Sequence, residues 1–185
     1  MNNRQNILKN NAILAIDPSL SSTGIALYTN NIKGIPLSIP ECLRLQTSLE
    51  DGATDKRIMK ICNELDNIAY SYSVRYVAFE EGFVGVSAKT SLQLAELRGA
   101  LCYMFNSHGY DVHYMQPSEI RKNFGLKGNA KKEDVAKKIL EIYSDLENII
   151  GPYSDKNNKN KTSDMYDAAS IGLAFKYKYD SGQIL

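Results

Sequence analysis

Four acidic residues lie where apolar segments end or where a helical pattern begins. Asp17 and Glu80 each close an apolar run. Asp164 and Asp167 are three residues apart in a helical pattern, so they share one face of the helix. Carboxylate oxygens suit hard divalent cations, and two such ions about 4 Å apart can activate a water and stabilise the leaving oxygen of a phosphodiester. The four acids therefore predict metal-assisted phosphodiester hydrolysis.

Each acid also has an ordinary structural explanation. Acids often end strands, and carboxylates in the first turn of a helix are favoured by the helix dipole, here with Ser163 predicted as the N-cap. No basic partner for the four acids is evident from the sequence, and four converging carboxylates would repel one another. A divalent cation relieves that repulsion, so we favour a metal site for the set as a whole.

The segments that carry the acids predict a mixed α/β sheet. The apolar run 12–17 is typical of a strand buried on both faces. Further strands are predicted at 24–29, 42–47, 74–80 and 111–115, and helices at 52–70, 87–106, 117–124, 130–143 and 163–177. Three early strands followed by helix-separated strands predict a five-stranded sheet flanked by helices. Ligands bind at the carboxyl ends of strands in open sheets, which is where Asp17 and Glu80 stand.

The predicted helix at 87–106 has two apolar stripes. One contains Leu94, Leu97, Leu101, Met104 and Phe105, and the other contains Ala88, Leu92, Ala95, Gly99 and Cys102. Two stripes indicate burial on two sides. One side can cover the sheet while the other meets a second subunit, and complete burial within one subunit is the alternative.

Length and composition predict one domain over residues 1–185, because 43% hydrophobic residues suffice for a single core at this size. We expect a flexible extension at 1–10 and a mobile loop at 152–161.

The net charge of +1 gives no reason to expect a nucleic-acid or membrane partner from bulk charge alone. Three scattered cysteines argue against a disulfide framework, and no apolar run approaches the roughly 20 residues that span a bilayer. A soluble cytoplasmic protein is expected.

Five segments resemble, in order, motifs of the RuvC-type Holliday junction resolvases. The three acidic motifs correspond to AIDPSLSSTG (15–24), VAFEEGF (77–83) and SDMYDAAS (163–170). An intervening helix and a basic segment correspond to QLAELRGAL (93–101) and QPSEIRKNFGLKGNAKKEDV (116–135). The resemblance implies an RNase H-like fold and a homodimer. It also implies symmetric cutting of two like-polarity strands of a four-way DNA junction, with two Mg²⁺ or Mn²⁺ ions in each active site.

The resemblance implies roles for individual residues. The four metal-binding carboxylates of the family match Asp17, Glu80, Asp164 and Asp167. Phe83 matches an aromatic residue placed against bases at the opened junction centre, where stacking contributes about 1–3 kcal/mol per base; the alternative is a core Phe. Arg121 and Lys132 match DNA-contacting positions, with a solvated charged face as the alternative. The basic residues predicted to bind DNA are Arg121, Lys122, Lys127, Lys131 and Lys132.

The sequence also departs from the family pattern. Ser19 stands where the family commonly has Gly, the stretch between Tyr143 and Ser163 is longer than in typical bacterial members, and residues 1–10 are an extension. These departures indicate a phage-like or otherwise divergent member. They leave two alternatives to junction resolution: a nuclease for branched DNA such as forks and flaps, and a DNA-binding module without catalysis.

Overall fold

The computed structural model describes residues 11–29, 33–81, 87–155 and 161–184. Five strands form one sheet: β1 (Ala12–Asp17), β2 (Ser22–Tyr28), β3 (Glu41–Gln46), β4 (Val74–Glu80) and β5 (Asp111–Met115). Six α-helices flank it: α1 (Thr54–Ser71), α2 (Ala88–Ser107), α3 (Pro117–Asn123), α4 (Lys132–Ile142), α5 (Leu146–Ile150) and α6 (Ser163–Asp180).

The strand order in the sheet is β3-β2-β1-β4-β5. The first three strands are antiparallel and follow one another directly, whereas β1, β4 and β5 are parallel and are joined through helices. Parallel neighbours need a crossover connection, which α1 and α2 provide. The mixed five-stranded sheet flanked by helices predicted from the sequence is thus confirmed.

Two hydrophobic cores cover the two faces of the sheet. Helices α1 and α2 pack on one face, and α3, α4, α5 and α6 pack on the other. Alternate residues of a strand point to opposite faces, so Ile16 of β1 lies in the first core and Ala15 in the second. Both faces are therefore dry, which explains the continuous apolar run in β1.

Helix α6 is the central helix of the second core. Most of its first fourteen positions, from Ser163 to Lys176, are buried, because α6 lies between the sheet and α4. Gly172 permits this packing, since a Cβ there would lie 2.3 Å from the ring of Tyr28. The Tyr28 hydroxyl in turn donates a 2.7 Å hydrogen bond to the Ala169 carbonyl oxygen. Helix α6 is thus held at a fixed height above β1 and β2.

The helix and strand boundaries agree with the sequence predictions to within a few residues. Two short elements were not predicted, the 3-10 helix Leu49–Asp51 and the helix α5. The predicted extension at 1–10 and the centre of the predicted loop at 152–161 lie outside the described residues. Within the described part of the chain, no helix combines the length and the apolar character needed to cross a membrane.

Candidate active site

Asp17 and Glu80 end the two central parallel strands at the same edge of the sheet. Their strands pair in register through Ile16 and Phe79, one residue before the two acids. Alternation along the strands places both acids on the face that α6 covers, the same face as Ala15 and Ala78. The sheet therefore sets two carboxylates side by side beneath one helix.

The start of α6 brings the other two acids to this edge. Asp164 and Asp167 are in the first turns of the helix, with Asp164 buried and Asp167 partly buried. The predicted N-cap was wrong by one residue, because Thr162 occupies that position. The Thr162 hydroxyl instead donates to the Pro152 carbonyl oxygen at 2.7 Å and accepts from a backbone amide, so it fixes the chain that enters the helix.

Gly24 lets α6 approach the sheet at this point. It pairs with Asp17 across β1 and β2, and a Cβ on Gly24 would lie 1.9 Å from the Asp164 carbonyl oxygen. Ser22, two residues earlier, donates a hydrogen bond of 2.5 Å from its hydroxyl to Oδ2 of Asp164. The turn after β1 and the strand β2 thus determine where Asp164 stands.

Two lysines pair with the helix acids, which corrects the expectation that the four acids lack basic partners. The Lys132 ammonium binds Oδ2 of Asp167, and the Lys161 ammonium lies 2.6 Å from Oδ1 of Asp164. Lys132 is 35 residues away from its partner in sequence, so only the packing of α4 against α6 brings the two together.

The acids influence one another electrostatically. Burial raises the pKa of Asp17 to about 8, the Asp167 carboxylate adds to the shift, and the Lys132 ammonium opposes it. Burial also raises the pKa of Glu80 and of Asp167, and Lys132 again opposes both shifts. Burial disfavours the charged form of Lys132, but the surrounding carboxylates outweigh this effect and raise its pKa. Burial and the neighbouring carboxylates thus favour the protonated form of Asp17, and the Lys132 ammonium opposes them.

The donor set fits a hard divalent cation. All four acids offer carboxylate oxygens, and a cation among them would stabilise the charged form of Asp17, which burial and then the neighbouring carboxylates disfavour. Among the described residues, no three His, Cys, Asp or Glu side chains already converge closely enough to hold an ion. Instead, Lys132 and Lys161 occupy carboxylate oxygens. A cation at these same oxygens would compete with the two ammonium groups.

The predicted DNA-binding residues fall into two groups around the acids. Arg121 and Lys132 line a cleft of about 20 Å³ together with Glu80 and Asp167, which is room for one water-sized molecule. The others are exposed and do not line this cleft: Lys122, Lys127 and Lys131. The predicted base-contacting residue Phe83 lies outside the described residues.

Sequence reasoning missed three residues that act on the acids. Ser22 and Lys161 hold Asp164. The third, Arg98 of α2, has a buried Nε without a hydrogen-bond partner among the described residues, and its charge acts on Glu80 and Asp17. The i,i+3 spacing of Lys161 and Asp164 was a visible signal of pairing, but nothing in the sequence linked Ser22 to Asp164.

Comparisons with known proteins agree with this arrangement. The sequence profile of the family described as crossover junction endodeoxyribonuclease RuvC matches residues 13–156. RuvC from Campylobacter jejuni is 33% identical over 138 residues, which cover 72% of this chain and 84% of that protein. RuvC from Prosthecochloris aestuarii is 27% identical over 161 residues, covering 87% of this chain and 79% of the relative. The profile match includes Asp17 and Glu80 and ends before α6.

Solved structures share the fold at low sequence identity. Thermus thermophilus RuvC superposes with a TM-score of 0.69 at 18% identity, covering 92% of this chain and 96% of that one. The yeast mitochondrial Holliday junction resolvase Ydc2 superposes with a TM-score of 0.65 at 12% identity, covering 97% and 83%. Because the family profile matches well over half of the sequence, the chain belongs to the RuvC family of crossover junction endodeoxyribonucleases, which are metal-dependent nucleases.

Proposed function

We propose that this protein resolves four-way (Holliday) DNA junctions by paired symmetric nicks, with Asp17, Glu80, Asp164 and Asp167 as ligands of two Mg²⁺ or Mn²⁺ ions. The observation that carries the proposal is the placement of two strand-end carboxylates and two helix carboxylates at one edge of the sheet, where the other three all act electrostatically on Asp17. The family match supports it, and so does a relative of the same fold that was solved in complex with a Holliday junction substrate.

The carboxylates and the basic residues of the site would have different roles in phosphodiester hydrolysis. Two divalent cations bound among the carboxylates would supply an activated water and neutralise the charge developing on the leaving oxygen. Asp17 and Glu80 are held by β1 and β4 in the centre of the sheet, so their oxygens keep a fixed separation. Arg121 and Lys132 at the cleft would bind the phosphate oxygens of the strand being cut.

The exposed lysines would extend this contact along the DNA. Lys122, Lys127 and Lys131 lie outside the cleft, where they can meet phosphates away from the cut without touching the carboxylates. Phe83 would stack on a base at the opened junction centre. The three cysteines carry free thiols, which suits action in the reducing cytoplasm of a bacterial or phage-infected cell.

A homodimer would form through the exposed face of α2. The second apolar stripe of this helix is not covered within the subunit: Leu92 is 64% exposed and Tyr103, on the same side, is 78% exposed. Ala95 and Gly99 between them are also exposed and are small enough to let a second helix approach closely. Two copies of this face would give the two active sites that paired nicks require.

Replacing Leu92 with Asp should convert the dimer to a monomer and uncouple the two nicks. A charge in the apolar centre of a subunit contact remains unpaired, which costs enough to shift a dimer dissociation constant by about a hundredfold. Sedimentation velocity at micromolar protein would measure this. The matched control is Leu49→Asp, because Leu49 is 86% exposed and lies off α2. Sedimentation of Leu92→Asp as a dimer would disprove the assignment of this face.

Metal affinity of the DNA-free protein should rise about tenfold per pH unit from about pH 6 to pH 8 and then level off. The reason is that Asp17, with its pKa raised to about 8, must lose a proton before it can ligate a cation. Titration calorimetry with Mn²⁺ in buffers of different protonation enthalpy should detect about one proton released at pH 7. Asp17→Asn should lose this pH dependence. An affinity that is flat above pH 6 would mean that the carboxylates keep ordinary pKa values.

The test of the proposed function is incision of a labelled four-way junction, beside a fork and a flap of the same sequence, with Mg²⁺, Mn²⁺ or EDTA. We expect symmetric paired nicks in the junction that require the metal, and slower cutting of the fork and flap. Equal cutting of all three substrates would make the protein a general branched-DNA nuclease. Binding without metal-dependent cutting would leave a DNA-binding module.

A further inference from the structure

The ion pair between Lys161 and Asp164 occupies one of the four carboxylates that we propose as metal ligands. The two atoms Nζ and Oδ1 are 2.6 Å apart, and the side chains are only 21% and 7% exposed. The other oxygen of Asp164, Oδ2, accepts the hydroxyl hydrogen of Ser22. Both oxygens of this buried carboxylate are therefore already engaged by the chain itself.

The main chain at Lys161 is fixed, although its side chain is long. The Lys161 carbonyl oxygen accepts a hydrogen bond from Nη1 of Arg44, and the next residue, Thr162, is tied to Pro152 and Ser154. The ammonium, by contrast, sits at the end of a four-carbon side chain with several rotatable bonds. Lys161 can thus leave Asp164 by rotamer changes, without any shift of the backbone.

The charge on Asp164 needs a counter-charge in every state. A buried carboxylate that loses its cationic partner is strongly destabilising, because its charge is then neither solvated nor paired. Oδ1 cannot bind an ammonium and a divalent cation in the same position at once. A cation entering the site therefore competes with Lys161 and, once bound, takes over its role as counter-charge.

We propose that Lys161 is a further substrate-contacting residue of this site: it neutralises Asp164 while the protein is free of DNA and metal, is released when a divalent cation takes its place, and then binds a phosphate of the cut strand. The inference rests on the proposed function, because it assigns Asp164 to the metal. A released ammonium is a mobile point charge with three donors beside the cation, which is the chemistry that binds a phosphate oxygen.

The test compares Lys161→Gln, Lys161→Arg and the wild type in two measurements. The first is the affinity of the DNA-free protein for Mn²⁺, measured by electron paramagnetic resonance of the free ion. The second is the rate of junction cutting at saturating Mn²⁺. The matched control is Lys138→Gln, since Lys138 forms an i,i+3 pair with Glu141 at the same 2.6 Å but on the exposed side of α4.

We expect opposite signs in the two measurements for Lys161→Gln. Loss of the competing charge should tighten Mn²⁺ binding by about threefold to tenfold. Loss of the phosphate contact should slow cutting by about tenfold. Lys161→Arg should stay within about twofold of the wild type in Mn²⁺ affinity, because it keeps the competing charge. Lys138→Gln should change neither quantity.

Three results would count against the proposal in different ways. Mn²⁺ binding that is unchanged or weaker in Lys161→Gln would overturn the exchange, and would make Lys161 only a structural support of Asp164. Tighter Mn²⁺ binding with unchanged cutting would overturn the phosphate contact. A wild type that binds Mn²⁺ but cuts no junction would refute the proposed function, while the Mn²⁺ comparison would still decide the role of Lys161 as a counter-charge.

Discussion

Replacing Asp17 with Asn should lower the rate of junction cutting about 1000-fold or more, while junction binding stays within about threefold of the wild type. Asn has the size of Asp but no charge, so its amide oxygen is a weaker ligand that cannot neutralise a cation at the end of β1. Binding should persist because the phosphate contacts that we propose for Arg121, Lys132 and the exposed lysines do not involve Asp17. Gel-shift and single-turnover cutting assays on one labelled junction measure both quantities.

The melting temperature of Asp17→Asn shows whether this variant loses cutting because it lacks the carboxylate or because it is unfolded. The pKa of Asp17 in the folded protein, about 8, exceeds the value of about 4 for an unfolded Asp. The folded state therefore holds a proton that the unfolded state releases, and its stability falls as the pH rises from about 4 to about 8. Asp17→Asn removes this loss, so the metal-free variant should melt above the wild type at pH 8 and close to it at pH 4.

The control for Asp17→Asn is Asp111→Asn. Asp111 begins β5, pairs with Arg75 at 3.3 Å and is exposed, away from the acidic edge. The Asp111→Asn variant should cut junctions at the wild-type rate. If Asp17→Asn kept cutting within about tenfold of the wild type, Asp17 would have no role in ligating a metal during the reaction.

Replacing Gly24 with Ala should destabilise the protein by about 3 kcal/mol and abolish cutting. The added Cβ would lie 1.9 Å from the carbonyl oxygen and 2.4 Å from the carbonyl carbon of Asp164. Both atoms belong to the backbone, so no side-chain rotation can relieve the overlap. Either α6 moves away from the sheet and exposes its buried face, or β2 shifts and breaks its pairing with β1.

Urea unfolding followed by circular dichroism measures this effect, which corresponds to a drop of about 6–12 °C in melting temperature for a chain of this size. Gly128→Ala is the matched control, because its Cβ would make only ordinary contacts, 3.4 Å from the Ser118 side chain and 3.8 Å from the Lys122 side chain. That variant should unfold within about 0.5 kcal/mol of the wild type. If Gly24→Ala unfolded at the same midpoint urea concentration as the wild type, the close contact between α6 and Gly24 would be disproved.

The strands and their terminal acids were predictable because the signals are local. An apolar run such as 12–17 indicates a strand buried on both faces, and an acid at its end can only lie at the edge of the sheet. Asp17 and Glu80 were found in this way, and the spacing of Asp164 and Asp167 placed them on one helix face. The order of the acidic motifs then pointed to the family that the sequence profile confirms.

The partners of the acids were not predictable, because they come from distant parts of the chain. Lys132 reaches Asp167 only because α4 packs on α6, and Ser22 reaches Asp164 only because Gly24 lets α6 rest on β2. Sequence alone also could not decide whether the second stripe of α2 is buried within the subunit, and the structure leaves it exposed at Leu92, Ala95 and Gly99.

By itself, the sequence determined the order of strands and helices and the kinds of side chain at their ends, because both depend on hydrophobic periodicity and on turns within a few residues. The tertiary structure decided which charges meet. The interaction between a carboxylate and an ammonium depends on a separation of a few ångströms and on burial, and both are set by how α4 and α6 pack on the sheet. For that reason the four acids could be named in advance, whereas the lysines that neutralise two of them could not.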